Sequence, residues 1–166
     1  SGSGCKLSRN EALDKEEENL SYDNIVCQFA ARYESYNANI ARTYFVNAPK
    51  CVEKAYMLLL EVQQVCLSAM KHGHQIKSVY LAAKSHIEMH GKELLQYFTP
   101  NCGTGIGIML RDPSHVLSHK NKRLIKTGMT FNLAIGFQGV PIVLSEEEKE
   151  KKKEGARAQK DFSILL

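Results

Sequence analysis

The residues best suited to chemistry are histidines, cysteines and a glycine cluster. His86 and His90 stand four apart in a stretch of helical period, so they share a face. The helical zinc-peptidase motif places Glu directly after the first histidine, to act on the metal-bound water. Here Ile87 holds that position and Glu88 falls on another face, which favours surface or half-buried histidines over a metal pair. His115 and His119 repeat the spacing in a basic, aperiodic segment and read the same way. Asn101–Gly107 reads NCGTGIG, but a phosphate loop ends in Gly-Lys-Ser/Thr and a dinucleotide turn spaces its glycines G-x-G-x-x-G. The even spacing of Gly103, Gly105 and Gly107 favours a tight turn or close backbone approach. Five cysteines form no C-x-x-C pair, which argues against zinc or dithiol chemistry and suits buried thiols in a reducing compartment. No G-x-S-x-G nucleophile elbow is present.

The elements that must position these groups follow from hydrophobic period. Asn24–Arg32 and Ser35–Val46 alternate as strands, with Tyr33-Glu34 as the expected turn. Tyr36, Ala38, Ile40, Arg42, Tyr44 and Val46 take one face of the second strand; Asn37, Asn39, Ala41, Thr43 and Phe45 take the other. Pro49 opens a helix whose apolar set is Val52, Ala55, Tyr56, Leu59, Val62, Cys66, Leu67 and Met70, with Gly73 as its expected end. Ile76, Val79, Tyr80, Ala83, Ile87, Leu94 and Leu95 predict a second helix to about Phe98, with Gly91 a weak point. Gly128–Phe137 reads as a strand, Val140–Leu144 as a short run returning beside it, and Phe162–Leu166 as a further strand. The class is α+β.

The chain has 166 residues, 43% of them hydrophobic and 24% charged, the balance of one globular domain. Its net charge of +4 is too mild to imply nucleic acid by itself. No transmembrane run and no secretory leader are visible, so no membrane partner is expected. Residues 1–23 read as a polar leader, with six acids against Lys15 alone between Glu11 and Asp23. Ser1–Gly4 reads as a flexible segment. Residues 145–160 read as a charged insert containing EEEKEKKKE. Arg111, Lys120, Lys122, Arg123 and Lys126 form a basic stretch that could meet phosphate or simply be solvated.

Three blocks together resemble the pita-bread superfamily of methionine aminopeptidases, creatinases and prolidases. They are ANIART at Ala38–Thr43, GTGIG at Gly103–Gly107 and GMTFNLAI at Gly128–Ile135, with two helices between the first and second. The resemblance implies a curved, mainly antiparallel sheet covered by two long helices. It implies that residues 1–166 are one domain, the carboxy-terminal two-thirds of that fold, with its amino-terminal part missing. In that superfamily two aspartates, two histidines and a glutamate would fall on Gln28, Asn39, Thr104, Arg111 and Ala134; the last glutamate would lie beyond Leu166. Hard divalent ions need carboxylates around them, and Gln28, Asn39, Thr104 and Ala134 supply no negative charge. Arg42, at an Arg-Thr position of the pattern, is expected to be structural and to donate to several backbone carbonyls.

Within the superfamily the chain resembles the peptidase-like domains carried by the large subunits of FACT histone chaperones. The resembling residues are Tyr33–Tyr36, Asn39–Thr43, Gly103–Gly107, Phe131–Phe137 and Asp161–Leu166. That resemblance implies a histone-binding module with no catalytic residues, no metal and no cofactor. It would act in nucleosome reorganisation during transcription, replication and repair, in the nucleus and on chromosomes. Its partners would be core histones and, through other parts of a parent protein, the second FACT subunit; direct DNA contact stays open. Gln28, Asn39, Thr104, Arg111 and Ala134 would line a vestigial cleft able to contact a peptide or histone. Two rival readings are a metal-dependent aminopeptidase with unusual ligands and a pita-bread nucleic-acid scaffold using Lys120, Lys122, Arg123 and Lys126.

Overall fold

The structure is a computed structural model that describes residues 2–3, 24–45, 48–141 and 161–165. The remaining parts of the expected polar leader and the whole of the expected charged insert lie outside the described residues. The strands are β1 (Gly2–Ser3), β2 (Asn24–Tyr33), β3 (Tyr36–Phe45), β4 (Gly103–Gly105), β5 (Phe131–Leu133), β6 (Gly136–Pro141) and β7 (Asp161–Leu165). The helices are α1 (Lys50–Ala69) and α2 (Ile76–His90). Every strand pair is antiparallel. The expected curved sheet is laid down in three pieces: β1-β2-β3, β4-β5 and β6-β7.

The β2–β3 hairpin pairs Gln28 with Ala41, Ala30 with Asn39 and Tyr33 with Tyr36. The turn is therefore Glu34-Ser35, one residue later than expected, and both residues take left-handed backbone (φ 45° and 70°). A two-residue loop of that hand matches the twist of the flanking strands, and the sheet imposes it although neither residue is Gly or Asn. Burial alternates along β3: Asn37, Asn39, Ala41, Thr43 and Phe45 face inward. Phe29, Tyr33, Tyr36, Ile40 and Tyr44 stay exposed on the outer face. Gly2 and Ser3 pair with Val26 and Ile25, so part of the segment read as flexible is a short edge strand.

Helix α1 buries Val52, Ala55, Leu58, Leu59, Val62 and Cys66, a stripe at steps of three and four. Leu67, expected in that stripe, is exposed. The helix ends at Ala69, where the Met70 N–H donates to the Cys66 and Leu67 carbonyls. Gly73 lies beyond that end, in a left-handed turn (φ 81°) whose N–H donates to the Ile125 carbonyl. Helix α2 buries Ile76, Val79, Ala83 and Ile87 and stops at His90, earlier than the expected end near Phe98. It stops at the weak point expected at Gly91, whose backbone (φ −163°, ψ 57°) leaves the helical region. Lys92–Tyr97 continue as a 3-10 turn. Among the described residues no helix is long and apolar enough to cross a membrane.

Cys102, Leu117, Ile125, Ile135, Phe137 and Val140 complete the core beneath the helices. Each large side chain fully buried here is worth about 1.5–3 kcal/mol of transfer free energy. Phe98 links Tyr80 of α2 (5.8 Å between ring centres) to Phe137 of β6 (6.1 Å). The single strand expected over Gly128–Phe137 is two strands, broken at Ala134-Ile135 where Ile135 turns into the core. Strand β6 pairs with β7, with a bulge between Phe137 and Val140 at Gly139 (φ 68°); Val140 and Pro141 of the expected returning run belong to β6 itself, and residues 142–144 lie outside the described residues. The basic 111–127 segment is pinned: Ile76 N–H donates to the Arg123 carbonyl, Lys77 N–H to Asn121 and Ile125 N–H to His74.

Candidate functional site

Gln28, Asn39, Thr104, Arg111 and Ala134 all line one cleft of about 510 Å³. Gln28 and Asn39 reach it from the inner face of the hairpin. They are diagonal neighbours, not opposite one another as a side-by-side placement would require, because Gln28 faces Ala41 and Asn39 faces Ala30. Thr104 is the middle residue of β4 and pairs with Asn132 of β5. Ala134 follows β5, and its N–H donates to the Cys102 carbonyl at 2.8 Å. Arg111 is exposed on the loop after β4.

Two local devices hold these pieces in register. Gly103 has φ 138°, and a Cβ on it would meet the Asn132 carbonyl oxygen at 2.0 Å and the Ala134 nitrogen at 3.0 Å. Only glycine lets β4 approach β5 so closely. Asn37 then bolts the hairpin to the end of the glycine run. Its backbone N–H donates to the Gly107 carbonyl (2.8 Å), and its Nδ2 donates to the Gly107 (3.0 Å) and Ile108 (2.7 Å) carbonyls. Asn37 and Asn39 share a face of β3, so this clamp holds the strand that carries Asn39 against the end of the glycine run.

The lining includes residues that sequence reasoning did not select: Gln63 of α1, Asn101, Asn132 and Gln138. Asn132 had a signal, since it stands two residues before Ala134 and alternation puts both on one face. Gln63 had none, because only the docking of α1 under the hairpin brings it there. Phe45 fixes that docking by packing edge-on against Tyr56 of α1 (5.3 Å, 83°). The Asn39 Oδ1 is buried with no hydrogen-bond partner. Among the described residues no Asp, Glu or His lines the cleft, and none of the His, Cys, Asp and Glu side chains group in threes that could hold a metal. A lining of amides, threonine hydroxyls and the arginines Arg42 and Arg111 does not match the carboxylate-rich shell that a hard divalent ion needs.

Arg42 is corrected by the structure. It is exposed on the outer face of β3, and its guanidinium donates to the adjacent Ala41 carbonyl (2.7 Å). The histidine pairs make protein contacts rather than metal sites. His86 meets Glu61 of α1 at 3.1 Å and stacks on His90 (4.2 Å). His115 donates from Nδ1 to Asp112, and together with the Ser114 N–H it holds the Asp112 carboxyl below its ordinary value. His115 also fills the space beside Gly105, while His119 packs against Tyr80. Of the cysteines, Cys66 and Cys102 are buried in the core, and the Cys102 side chain lowers the Cys66 thiol through a hydrogen bond.

An antiparallel sheet backed by two helices, with a cleft between hairpin and glycine turn, defines a peptidase-type fold. Residues 5–164 match the model of metallopeptidase family M24, and the chain belongs to that family. Within it, the chain is similar to the FACT complex subunit SPT16 of Arabidopsis thaliana, at 35% identity over 99% of the chain and 15% of the relative. It is similar at 36% to the SPT16 subunit of Oryza sativa, with the same coverage of each. The solved N-terminal domain of SPT16 from Cicer arietinum superposes with a TM-score of 0.85 at 34% identity, covering 99% of this chain and 37% of that one. Prolidase from Pyrococcus furiosus shares the fold, with a TM-score of 0.69 over 89% of this chain and 37% of that one. The chain thus spans about 15% of the length of these curated relatives.

Proposed function

We propose that this chain is a non-catalytic, histone-binding module of a nuclear histone chaperone that reorganises nucleosomes. The observation that carries this reading is the cleft. It gathers Gln28, Asn39, Thr104, Arg111 and Ala134 in one lining, and this reading takes them as the positions where the superfamily pattern calls for metal-binding acids and imidazole. Gln and Asn are close in shape to Glu and Asp but carry no charge, so a binding groove can outlast the loss of a metal. The similarity to SPT16 subunits along nearly the whole chain supports a chaperone over an enzyme.

In this reading residues 1–166 form one domain, the carboxy-terminal two-thirds of a pita-bread core. Core histones are the partners, and the second FACT subunit is met by other parts of the parent. Basic histone surfaces are competed away from DNA by acidic groups. The chain's net charge of +4 leaves that task to its acid-rich stretches at Glu11–Asp23 and 146–154 and to the rest of the parent. The cleft itself, with Gln28, Asn39, Thr104, Arg111 and Ala134, is a groove for an extended peptide. The test is retention of purified core histones on the immobilised protein, from low salt up to about 0.15 M ionic strength. Saturable retention is expected. No retention at low salt overturns the proposal, and preferential retention of free DNA with a steep salt dependence would favour Lys120, Lys122, Arg123 and Lys126 as a nucleic-acid surface.

A further inference from the structure

The end of the helix pair where α1 turns into α2 gathers positive charge from two parts of the chain. No acid occurs from Val62 to Ile87, nor from Pro113 to Ser145. The backbone stitches these two stretches together. Gly73 N–H donates to the Ile125 carbonyl (2.9 Å), Ile76 N–H to Arg123 (2.8 Å), Lys77 N–H to Asn121 (2.9 Å) and Ile125 N–H to His74 (2.8 Å). The Thr127 N–H adds a donation to His72 Nδ1 (3.2 Å). The join brings Lys71 and Lys77 of one stretch beside Lys120, Lys122, Arg123 and Lys126 of the other. All but the half-buried Lys77 are exposed. Among the described residues none of the six is in an ion pair, and none lines the cleft.

Like charges held together repel one another, and an anionic partner relieves that repulsion. The start of α2 does not supply the binding groups, because its first two N–H groups are taken by the Arg123 and Asn121 carbonyls. Side chains alone meet the ligand. Apolar side chains are interleaved with the cations, and they choose between the possible anions. Leu124, 49% exposed, lies between Arg123 and Lys126 in the chain, and Leu81, 45% exposed, stands one helical turn after Lys77 on the same face. A duplex phosphate backbone presents charge with nothing apolar to cover them, whereas a protein segment can carry both. We propose that this surface docks an acidic segment of a partner protein, its carboxylates meeting the lysines and an interspersed apolar side chain covering Leu124. The proposal does not depend on the histone reading, since its partner is acidic and its surface lies outside the cleft.

Fluorescence anisotropy on the intact protein tests this with four labelled probes. Two are N-acetylated, C-amidated peptides of equal negative charge, one with Leu between its glutamates and one with Ser there. The third exchanges the glutamates of the Leu peptide for Lys, and the fourth is a short DNA duplex. The acidic Leu peptide should bind saturably, fivefold or more tightly than the Ser peptide and more tightly than the DNA, and the Lys peptide should not bind. Binding should weaken as salt rises from about 0.05 M to about 0.3 M. Lys122→Glu with Arg123→Glu should weaken the Leu peptide tenfold or more, and Lys71→Glu, on the other stretch, fivefold or more. Lys92→Glu, past the far end of α2, should leave its affinity within twofold. Leu124→Ser should bring the two acidic peptides to one affinity. Absence of binding, equal binding of the Leu and Ser peptides, preference for the DNA, or losses no larger than that of Lys92→Glu overturns the proposal. So does peptide binding that emerges only after Glu16→Gln, Glu17→Gln and Glu18→Gln, which would give the surface to an acidic stretch of the chain itself. Histone retention, measured on the same variants, decides the histone reading separately.

Discussion

Replacing Gly103 by Ala attacks the join between β4 and β5 on which the cleft depends. The new Cβ would lie 2.0 Å from the Asn132 carbonyl oxygen, and that atom is backbone, so no side-chain rotation relieves the clash. A non-glycine residue held at φ 138° stores about 1–3 kcal/mol of strain. Opening the strand pair to make room also stretches the Ala134 N–H to Cys102 carbonyl bond and the Leu117 N–H to Gly103 carbonyl bond, each worth about 1 kcal/mol net. The sum is about 3–5 kcal/mol, a third or more of the stability of an ordinary domain. At roughly 2–4 °C per kcal/mol for a chain of this length, Tm should fall by about 6–20 °C. Thermal melting with urea titration measures this. Gly107→Ala is the control, because a Cβ there meets nothing within 4 Å, and its effect should stay within about 0.5 kcal/mol. A Gly103→Ala protein melting within about 2 °C of the parent would refute the close β4–β5 contact as the element that sets the cleft.

Arg42→Ala should cost less than about 0.5 kcal/mol in urea denaturation, since the side chain is exposed and donates to the carbonyl of its own chain neighbour Ala41; a loss above about 2 kcal/mol would show that the guanidinium braces the hairpin. Asp112 is held below its ordinary value of 3.8 by the His115 hydrogen bond first and by the Ser114 N–H second. A carboxyl depressed in the folded state contributes stability that is full above its unfolded value and is lost as pH falls through the folded one. The acid side of a Tm-against-pH curve, below about pH 4, should therefore flatten in Asp112→Asn. An unchanged acid limb would remove Asp112 from the set of groups linked to folding.

Much of the fold was legible because it follows from period. The steps of three and four in α1 and α2 and the alternation of β2 and β3 each report a buried face. What failed were boundaries set by tertiary contact. Helix α2 stops at Gly91, the expected weak point, and gives way to a 3-10 turn over Lys92–Tyr97 that the apolar period of Leu94 and Leu95 does not distinguish from a continuing helix. The hairpin turn falls on Glu34-Ser35 because the strand twist demands left-handed backbone there, against the preference of both residues. Gly128–Phe137 reads as continuous, yet Ile135 is drawn into the core and splits it. Five of the cleft residues were accessible through a motif. Gln63, Asn101 and Gln138 were not, since no spacing along the chain announces that α1, the Thr99–Asn101 turn and β6 close on the same space.

The most direct measurement of the central claim is a metal titration of the melting temperature. Cobalt, manganese or zinc is added to the intact protein, with aminopeptidase turnover followed in the same samples. A metal held by the native state at a hundredfold excess over its Kd would add about 2.7 kcal/mol, a shift of several degrees. With amides, threonine hydroxyls and arginines around the cleft, we expect no saturable, metal-specific rise in Tm and no turnover. A saturable rise that disappears in the Gln28→Ala, Asn39→Ala double variant, accompanied by peptide hydrolysis, would contradict the account and make the chain a working metallopeptidase.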